Sequence, residues 1–406
     1  GLPVRTVMNT WIYQGGSPLV RLDAGTLTQS HFAYGERADV TEIGEAWHTP
    51  VIVRSLDGGE ERHLLEDRPV AVSLPGPIVV NAGASGYYRV GYDSASIASL
   101  SSRLGELTPP ERVSLVGDTW GLVYASKAPW SQFDAVVNGL AGIDEPFIWG
   151  GFAAGGGLVG GSVSAAAAWM HRALTDEQRP RLAGWVRTHF GPIFERLGWE
   201  PRDGEDDLAR QMRGIVVMAL GGLGQDEAVR AEAIRRFEAG EYAGDLAGAV
   251  LRVVAANGDP AHYRLMLERF HTAPTPQDEQ RYLYNLAGFD VEEVVTDLLP
   301  RCLNGEIRSQ DAPGVLLFQM ALPDCGPTAW RYFTSRWDEA LSIFPAYLHP
   351  RLTWGVATYI TDPGFADEVE SFHRSHEITG QQKQVDQQIE LMRVGLAFTR
   401  AIRPQF

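Results

Sequence analysis

Residues 81–93 read NAGASGYYRVGYD. Glycine, tyrosine and a single arginine in one short run suit three things: a phosphate cradle, a base-stacking strand, or a turn that feeds a strand. A phosphate cradle needs a helix whose N-terminus points at the loop. Here Gly83 and Gly86 precede an alternating stretch, Tyr88, Val90 and Tyr92. An RNA-reading strand needs a basic residue, then glycine and alternating aromatics; Arg89-Val90-Gly91-Tyr92-Asp93 breaks that order and ends on an acid. A turn followed by a strand explains the run with no ligand, and Asp93 reads as the cap of a helix beyond it. Arg89 is left over, and a buried or interfacial ion pair is expected for it.

Working outward from this joint, the two sides carry different periods. Upstream, over 17–92, short apolar stretches (18-PLVRL-22, 50-PVIVRSL-56, 69-PVAVSL-74, 77-PIVV-80) are separated by turn signals at 23–25, 57–59 and 75–77. That spacing predicts a small antiparallel β-sandwich, with a type I′ hairpin at Asp57-Gly58. Downstream the pattern is helical. Thr108-Pro109-Pro110-Glu111 is a capping box with proline in the first turn, and 111-ERVSLVGDTWGLVYAS-126 carries one apolar face. Further amphipathic runs follow from 179 to 401, which predicts helix pairs stacked as a HEAT- or armadillo-like α-superhelix. The expected organisation is therefore 17–92 as the sandwich and 93–406 as the superhelix, a mainly α chain with a small all-β domain.

Composition narrows the function. A net charge of −16 over 406 residues argues against nucleic acid as a partner, because phosphate contacts need a basic face. The cations are arginine apart from Lys127 and Lys383. Cys302 and Cys325 are too few for a disulfide framework or a four-cysteine zinc site, and this points to a reducing, cytoplasmic setting. No apolar run is long enough to span a membrane.

Motif searches return little chemistry. None of the histidines lies in H-E-x-x-H; His373 and His376, three apart in a polar stretch, read as a solvated helix end. No G-x-S-x-G elbow is present. The glycine run 149-WGGFAAGGGLVGGSVSAAAAW-169 has no G-K-[ST] and no G-x-G-x-x-G after a strand, and reads as close helix packing or a loop.

Several motifs in order do resemble one family, the C-terminal half of aminopeptidase N-type zinc aminopeptidases, the group of the endoplasmic-reticulum aminopeptidases and tricorn-interacting factors. The segment 7-VMNTWIYQGGSPLVRL-22 resembles V-M-x-T-W-x-x-Q-x-G-x-P-V, with Trp11, Gln14, Gly16 and Pro18 in place. The stretch 27-LTQSHF-32 resembles L-x-Q-x-R-F with His31 in place of arginine, and 47-WHTPV-51 resembles W-x-I-P-L. The opening run resembles N-x-x-x-x-G-[FY]-Y-R-V-x-Y-D. In the helices, 112-RVSLVGDTWGLV-123, 307-IRSQD-311, 329-AWRYFTSRWDEAL-341 and 389-IELMRVGLAF-398 match further family elements.

The resemblance implies a non-catalytic region of an enzyme that removes N-terminal residues from peptides. The family's H-E-x-x-H and G-x-M-E-N are absent from this sequence, so no catalytic residue, metal ligand or cofactor is expected in this chain. Zinc would belong to the catalytic domain of the parent enzyme, of which residues 1–16 would be the tail. The implied partners are that peptidase domain and peptide substrates, with neither nucleic acid nor membrane. The helical region would cover the cleft and touch peptide through Arg308, Gln310, Asp311, His349 and Arg351, a cation pairing with the peptide's carboxylate. A solvated loop or an interhelix ion pair is the alternative for each. A free-standing helical scaffold for a protein partner is the alternative for the whole chain.

Overall fold

The computed structural model describes residues 4–34, 46–150, 161–349, 351–355, 362–378 and 380–406. It divides into two compact units, 1–166 with Gln405, and 167–404 with Phe406.

The first unit opens with helix α1 (Val4–Ile12) and continues through strands β1 (Ser17–Asp23), β2 (Thr26–Phe32), β3 (Thr49–Ser55), β4 (Glu60–Leu65), β5 (Val70–Ala71), β6 (Ile78–Val80) and β7 (Arg89–Tyr92). Two sheets form, in the orders β5-β2-β1-β7 and β4-β3-β6. The expected all-antiparallel arrangement fails at one edge: β7 lies parallel to β1, with Leu19 opposite Arg89 and Leu22 opposite Tyr92. A parallel neighbour needs a long crossover rather than a hairpin, and here the crossover is the whole of the intervening sheet structure. Side chains tie the sheets together. The Tyr92 hydroxyl on β7 accepts from the Val80 N–H on β6 at 2.9 Å. Gln29 on β2 donates to the carbonyls of Trp47 and Glu66, both at 2.6 Å.

The hairpin between β3 and β4 falls where Asp57-Gly58 placed it, but its turn is not type I′. That turn needs positive φ at both central residues, and the positive values lie on Gly58 (103°) and Gly59 (98°), not on Asp57. The second glycine supplied the conformation at no steric cost.

Helices α2 (Ser94–Ser101), α3 (Pro109–Tyr124), α4 (Trp130–Asn138), α5 (Pro146–Trp149) and α6 (Val163–Ala173) follow, the last crossing the boundary between units. Asp93 caps α2 as expected, accepting from Ser96 N–H at 2.7 Å, and its other oxygen accepts from Ala24 N–H at 3.0 Å in the β1–β2 turn. Thr108 N–H donates to the Glu111 carboxylate at 2.8 Å, the reciprocal half of the capping box. Most of the glycine run at 150–161 lies outside the described residues.

The second unit contains α7 (Arg179–Leu197), α8 (Asp207–Met218), α9 (Glu227–Ala239), α10 (Gly244–Asn257), α11 (Pro260–His271), α12 (Pro276–Leu286), α13 (Glu292–Arg301), α14 (Ala312–Met320), α15 (Gly326–Thr334), α16 (Trp337–Ile343), α17 (Arg351–Trp354), α18 (Pro363–Ser375) and α19 (Gln382–Ile402). Contacts run α8 to α10 to α12 to α14 to α17 to α19 along one layer, and α11 to α13 to α15 along the other. Within pairs, α11 packs on α12, α14 on α15 and α18 on α19. This is the stacked-pair pattern of an α-superhelix, with a continuous buried core from Phe237 to Leu396.

Arginines close the ends of neighbouring helices. Arg269 on α11 donates to the carbonyls of Phe237 and Glu238 at the end of α9, and Arg213 on α8 to those of Leu197 and Gly198 after α7. A guanidinium there satisfies terminal carbonyls and opposes the helix dipole.

Candidate functional site

The NAGASGYYRVGYD run is a structural joint, and each of its odd residues has a physical task. Asn81 adopts φ 61° and clamps the turn, accepting from Gly86 N–H at 2.7 Å and donating to Gly86 O at 3.1 Å. A β-carbon on Gly86 would stand 2.2 Å from the Tyr88 ring, so the asparagine–glycine spacing is a steric requirement. Glu111, buried in α3, takes Gly83 N–H at 2.9 Å and both ends of Arg54 from β3 at 2.9 and 2.6 Å. Burial alone would push this carboxyl up; the hydrogen bonds from Arg54, Gly83 and Thr108 outweigh it and hold its pKa at about 2.

Arg89 finds the ion pair expected of it. Its Nη1 lies 3.3 Å from Asp118 Oδ1 and 3.2 Å from Gly117 O, and its Nη2 donates to the Tyr34 hydroxyl at 2.9 Å. The guanidinium also stands 5.0 Å over the Phe32 ring. Asp118 takes Val90 N–H at 3.0 Å. Its carboxyl is raised to about 7, because burial outweighs the pull of Arg89 and the Val90 N–H. The guanidinium lies flat against Gly121, where a β-carbon would come within 2.7 Å of Nη1. Gly121→Ala is therefore expected to cost about 1–3 kcal/mol, read as a lower denaturation midpoint with an unchanged m-value.

The five residues proposed for peptide contact stand in two places, 308–311 before α14 and 349–351 at the start of α17. Arg308, exposed in the connection before α14, pairs with Glu279 on α12. Gln310 is exposed and Asp311 is buried at the start of α14. His349 donates from Nε2 to Phe344 O at 3.0 Å, which ties it to the turn before α17. Arg351 opens α17, and its side chain lies outside the described residues.

His373 is a correction. It is 1% exposed, not solvated, and packs against Trp330 and Trp337 with ring centroids 5.3 and 6.1 Å away. Burial lowers its pKa to about 4, so it sits neutral in an aromatic pocket. Its burying partners come from α15 and α16, and nothing near His373 in sequence announces them. Among the described residues, no group of three or more histidine, cysteine or acidic side chains is arranged to hold a metal ion. Among them too, no helix is long and apolar enough to cross a membrane.

Sequence reasoning missed Arg252 in α10. It is exposed among buried neighbours Leu251, Val253, Val254 and Ala255, and among the described residues no hydrogen bond or ion pair engages it. Desolvation lowers its pKa, and no carboxylate opposes that effect. The available signal was one arginine interrupting the apolar run 247-AGAVLRVVAA-256.

Comparison with known proteins adds the family. The profile described as the ERAP1-like C-terminal domain matches residues 77–394. The chain belongs to this family. The ERAP1-like C-terminal domain thus begins at β6 and takes in nearly all the helices. Similarity extends beyond it. Aminopeptidase M1-A of Oryza sativa subsp. japonica is 24% identical over 434 residues, covering 100% of this chain and 48% of that protein. Glutamyl aminopeptidase of Rattus norvegicus is 23% identical over 372 residues, covering 84% of this chain and 37% of that protein. Probable M1 family aminopeptidase 1 of Encephalitozoon cuniculi is 34% identical over 150 residues, covering 36% of this chain. The chain spans about half the length of the plant relatives it matches.

Proposed function

We propose that this chain is the accessory, non-catalytic part of an M1-type aminopeptidase: its helical unit contacts peptide substrates and limits their access, while the chemistry belongs to a separate peptidase domain. The observation that carries this reading is the match of the whole chain to about half of aminopeptidase M1-A. A zinc ion, implied by the family, would sit in the peptidase domain. The described residues of this chain do not fit it, since none are grouped as ligands.

Helix α1 supports a peptidase domain as partner. None of its residues is buried, and Val4, Met8 and Ile12, one turn apart, are 67, 48 and 63% exposed. Trp11 and Thr10 fasten the helix to the sandwich through Trp11 Nε1–H to His48 O and His48 N–H to Thr10 Oγ1, both 3.1 Å. So short a helix gains little from propensity alone, and its apolar stripe suits a second protein surface. Arg308, Gln310 and Asp311, in the family element 307-IRSQD-311, remain proposed peptide contacts, and so do His349 and Arg351 of 348-LHPRL-352.

The test is enzymatic. The purified chain is expected to release no amino acid from aminoacyl fluorogenic substrates and to bind no stoichiometric zinc. Chelator-sensitive cleavage by the pure chain would overturn the reading.

A further inference from the structure

We propose that Asn304-Gly305, in the turn after α13, is a site of spontaneous deamidation, and that the fold singles it out from the three Asn-Gly pairs of this chain.

Asparagine is thermally labile. The backbone nitrogen of the following residue can attack its side-chain carbonyl carbon, and a glycine there carries no side chain to hinder the approach. The chain has this pair at 138–139, 257–258 and 304–305. The first two are held shut. Asn138 ends α4, donating from Nδ2 to Asp134 O at 2.8 Å, and the Gly139 N–H donates to the Ala135 and Val136 carbonyls at 3.2 and 3.1 Å. Asn257 ends α10, donating from Nδ2 to Gly221 O at 2.9 Å and Val253 O at 2.7 Å. The Gly258 N–H donates to Val254 O at 2.6 Å. In both pairs the attacking nitrogen belongs to a helical hydrogen bond and the leaving amide is tied down.

Asn304 and Gly305 are both exposed. Among the described residues, no hydrogen bond engages the Gly305 N–H or the Asn304 Nδ2. Gly305 adopts φ 88°, and open space lies where a side chain would stand. The turn therefore requires glycine, and the requirement keeps the reactive pair in place. The one bond that the asparagine side chain makes favours reaction. Its Oδ1 accepts from Glu306 N–H at 3.0 Å. Attack on Cγ moves negative charge onto Oδ1, where this donor meets it.

The step balances without an oxidant or a reductant. Hydroxide removes the Gly305 proton as water, the nitrogen bonds to Asn304 Cγ, and the Cγ–Nδ2 bond breaks. Ammonia leaves after taking a proton from water, and a five-membered succinimide remains. Water then opens the ring at either carbonyl, giving aspartate or isoaspartate.

The products disturb a clasp between helices. The Glu306 carboxylate accepts from Arg301 of α13 at 2.5 Å and faces His271 of α11 at 3.0 Å. A carboxylate at 304 sets a like charge two residues away, past the C-terminal end of α13, where the helix dipole opposes it. Isoaspartate also lengthens the main chain by one carbon between Leu303 and Ile307, both buried.

The test incubates the full chain in warm, mildly alkaline buffer and maps its peptides by mass spectrometry, with isoaspartate labelled by an isoaspartyl methyltransferase. The peptide holding Asn304 is expected to gain about 1 Da as amide becomes acid. Its reaction should run at least about tenfold faster than that of Asn138 or Asn257, the scale of the hydrogen bonds those pairs must first break. In denaturant, where no fold protects them, the three should react at similar rates. Asn304→Gln, whose amide would have to close a larger ring, should stay unmodified and hold its melting temperature through the incubation. The parent's melting temperature should fall as product accumulates. Asn304→Asp, which carries the charge without the added carbon, should melt below fresh parent by part of that fall. Equal rates at the three pairs in the folded chain, or protection of Asn304 on folding as strong as that of Asn257, overturns the assignment. A melting temperature that stays level as isoaspartate accumulates overturns the effect on the clasp.

Discussion

Replacing Glu111 with alanine is expected to destabilise the sandwich-bearing unit by about 3 kcal/mol, near the lower end of the range for breaking a buried ion pair. The lower end applies because Arg54 keeps 25% of its side chain exposed and can turn to water, whereas Glu111 is 1% exposed. The loss has three parts. Arg54 forfeits both its hydrogen bonds to the carboxylate, Gly83 N–H in the turn after β6 loses its acceptor, and Thr108 N–H at the start of α3 loses its cap. One side chain thus joins a strand, a turn and a helix start. The effect should also depend on pH. The folded pKa of about 2 lies below the ordinary 4.5, so the folded state binds fewer protons than the unfolded one. Its contribution is present above about 4.5 and is lost as pH falls towards 2. Denaturant titrations of parent and Glu111→Ala should therefore differ most at neutral pH and converge in acid. A pH-independent difference would mean that the side chain acts through packing and not through its charge.

Local features of this fold were legible because they are fixed within a few residues. Asp93 as a cap, Thr108 with Glu111 as a box and the hairpin beside Gly58 each need only neighbours in sequence, and each stands where the residues put it. The amphipathic runs gave the helices for the same reason. What escaped was long-range. The parallel pairing of β7 with β1 joins segments separated by nearly the whole sandwich, and no local pattern encodes which edge a closing strand takes. His373 looked polar because its sequence neighbours are polar, but Trp330 and Trp337 bury it from other helices. Arg308 was legible as a cation, yet its partner Glu279 belongs to α12, two helices before the following α14.

The leftover residue of the joint supplies the second large effect. Arg89→Met keeps much of the stem that lies against Phe32 and removes the charge facing Asp118. Asp118 would then hold a buried carboxylate with only the Val90 N–H to stabilise it, and breaking such a pair costs about 3–5 kcal/mol when the remaining group stays ionised. Protonation offers the variant an escape, so pH decides the size of the loss. In the parent protein the Asp118 pKa of about 7 lies above the ordinary 3.8. The folded state holds the extra proton, and this group's contribution falls as pH rises from about 4 to about 7, then levels. Without Arg89 the carboxyl moves higher still, and the falling limb extends into alkaline pH. The difference between Arg89→Met and parent should therefore be small near pH 6 and grow through pH 8 and beyond, opposite in sense to Glu111→Ala. Asp118→Asn in the Arg89→Met background should flatten the dependence, because the amide leaves no charge to bury. If the loss in Arg89→Met is as large at pH 6 as at pH 9, Arg89 holds the joint through its bonds to Tyr34 and Gly117, and the Asp118 pair contributes little.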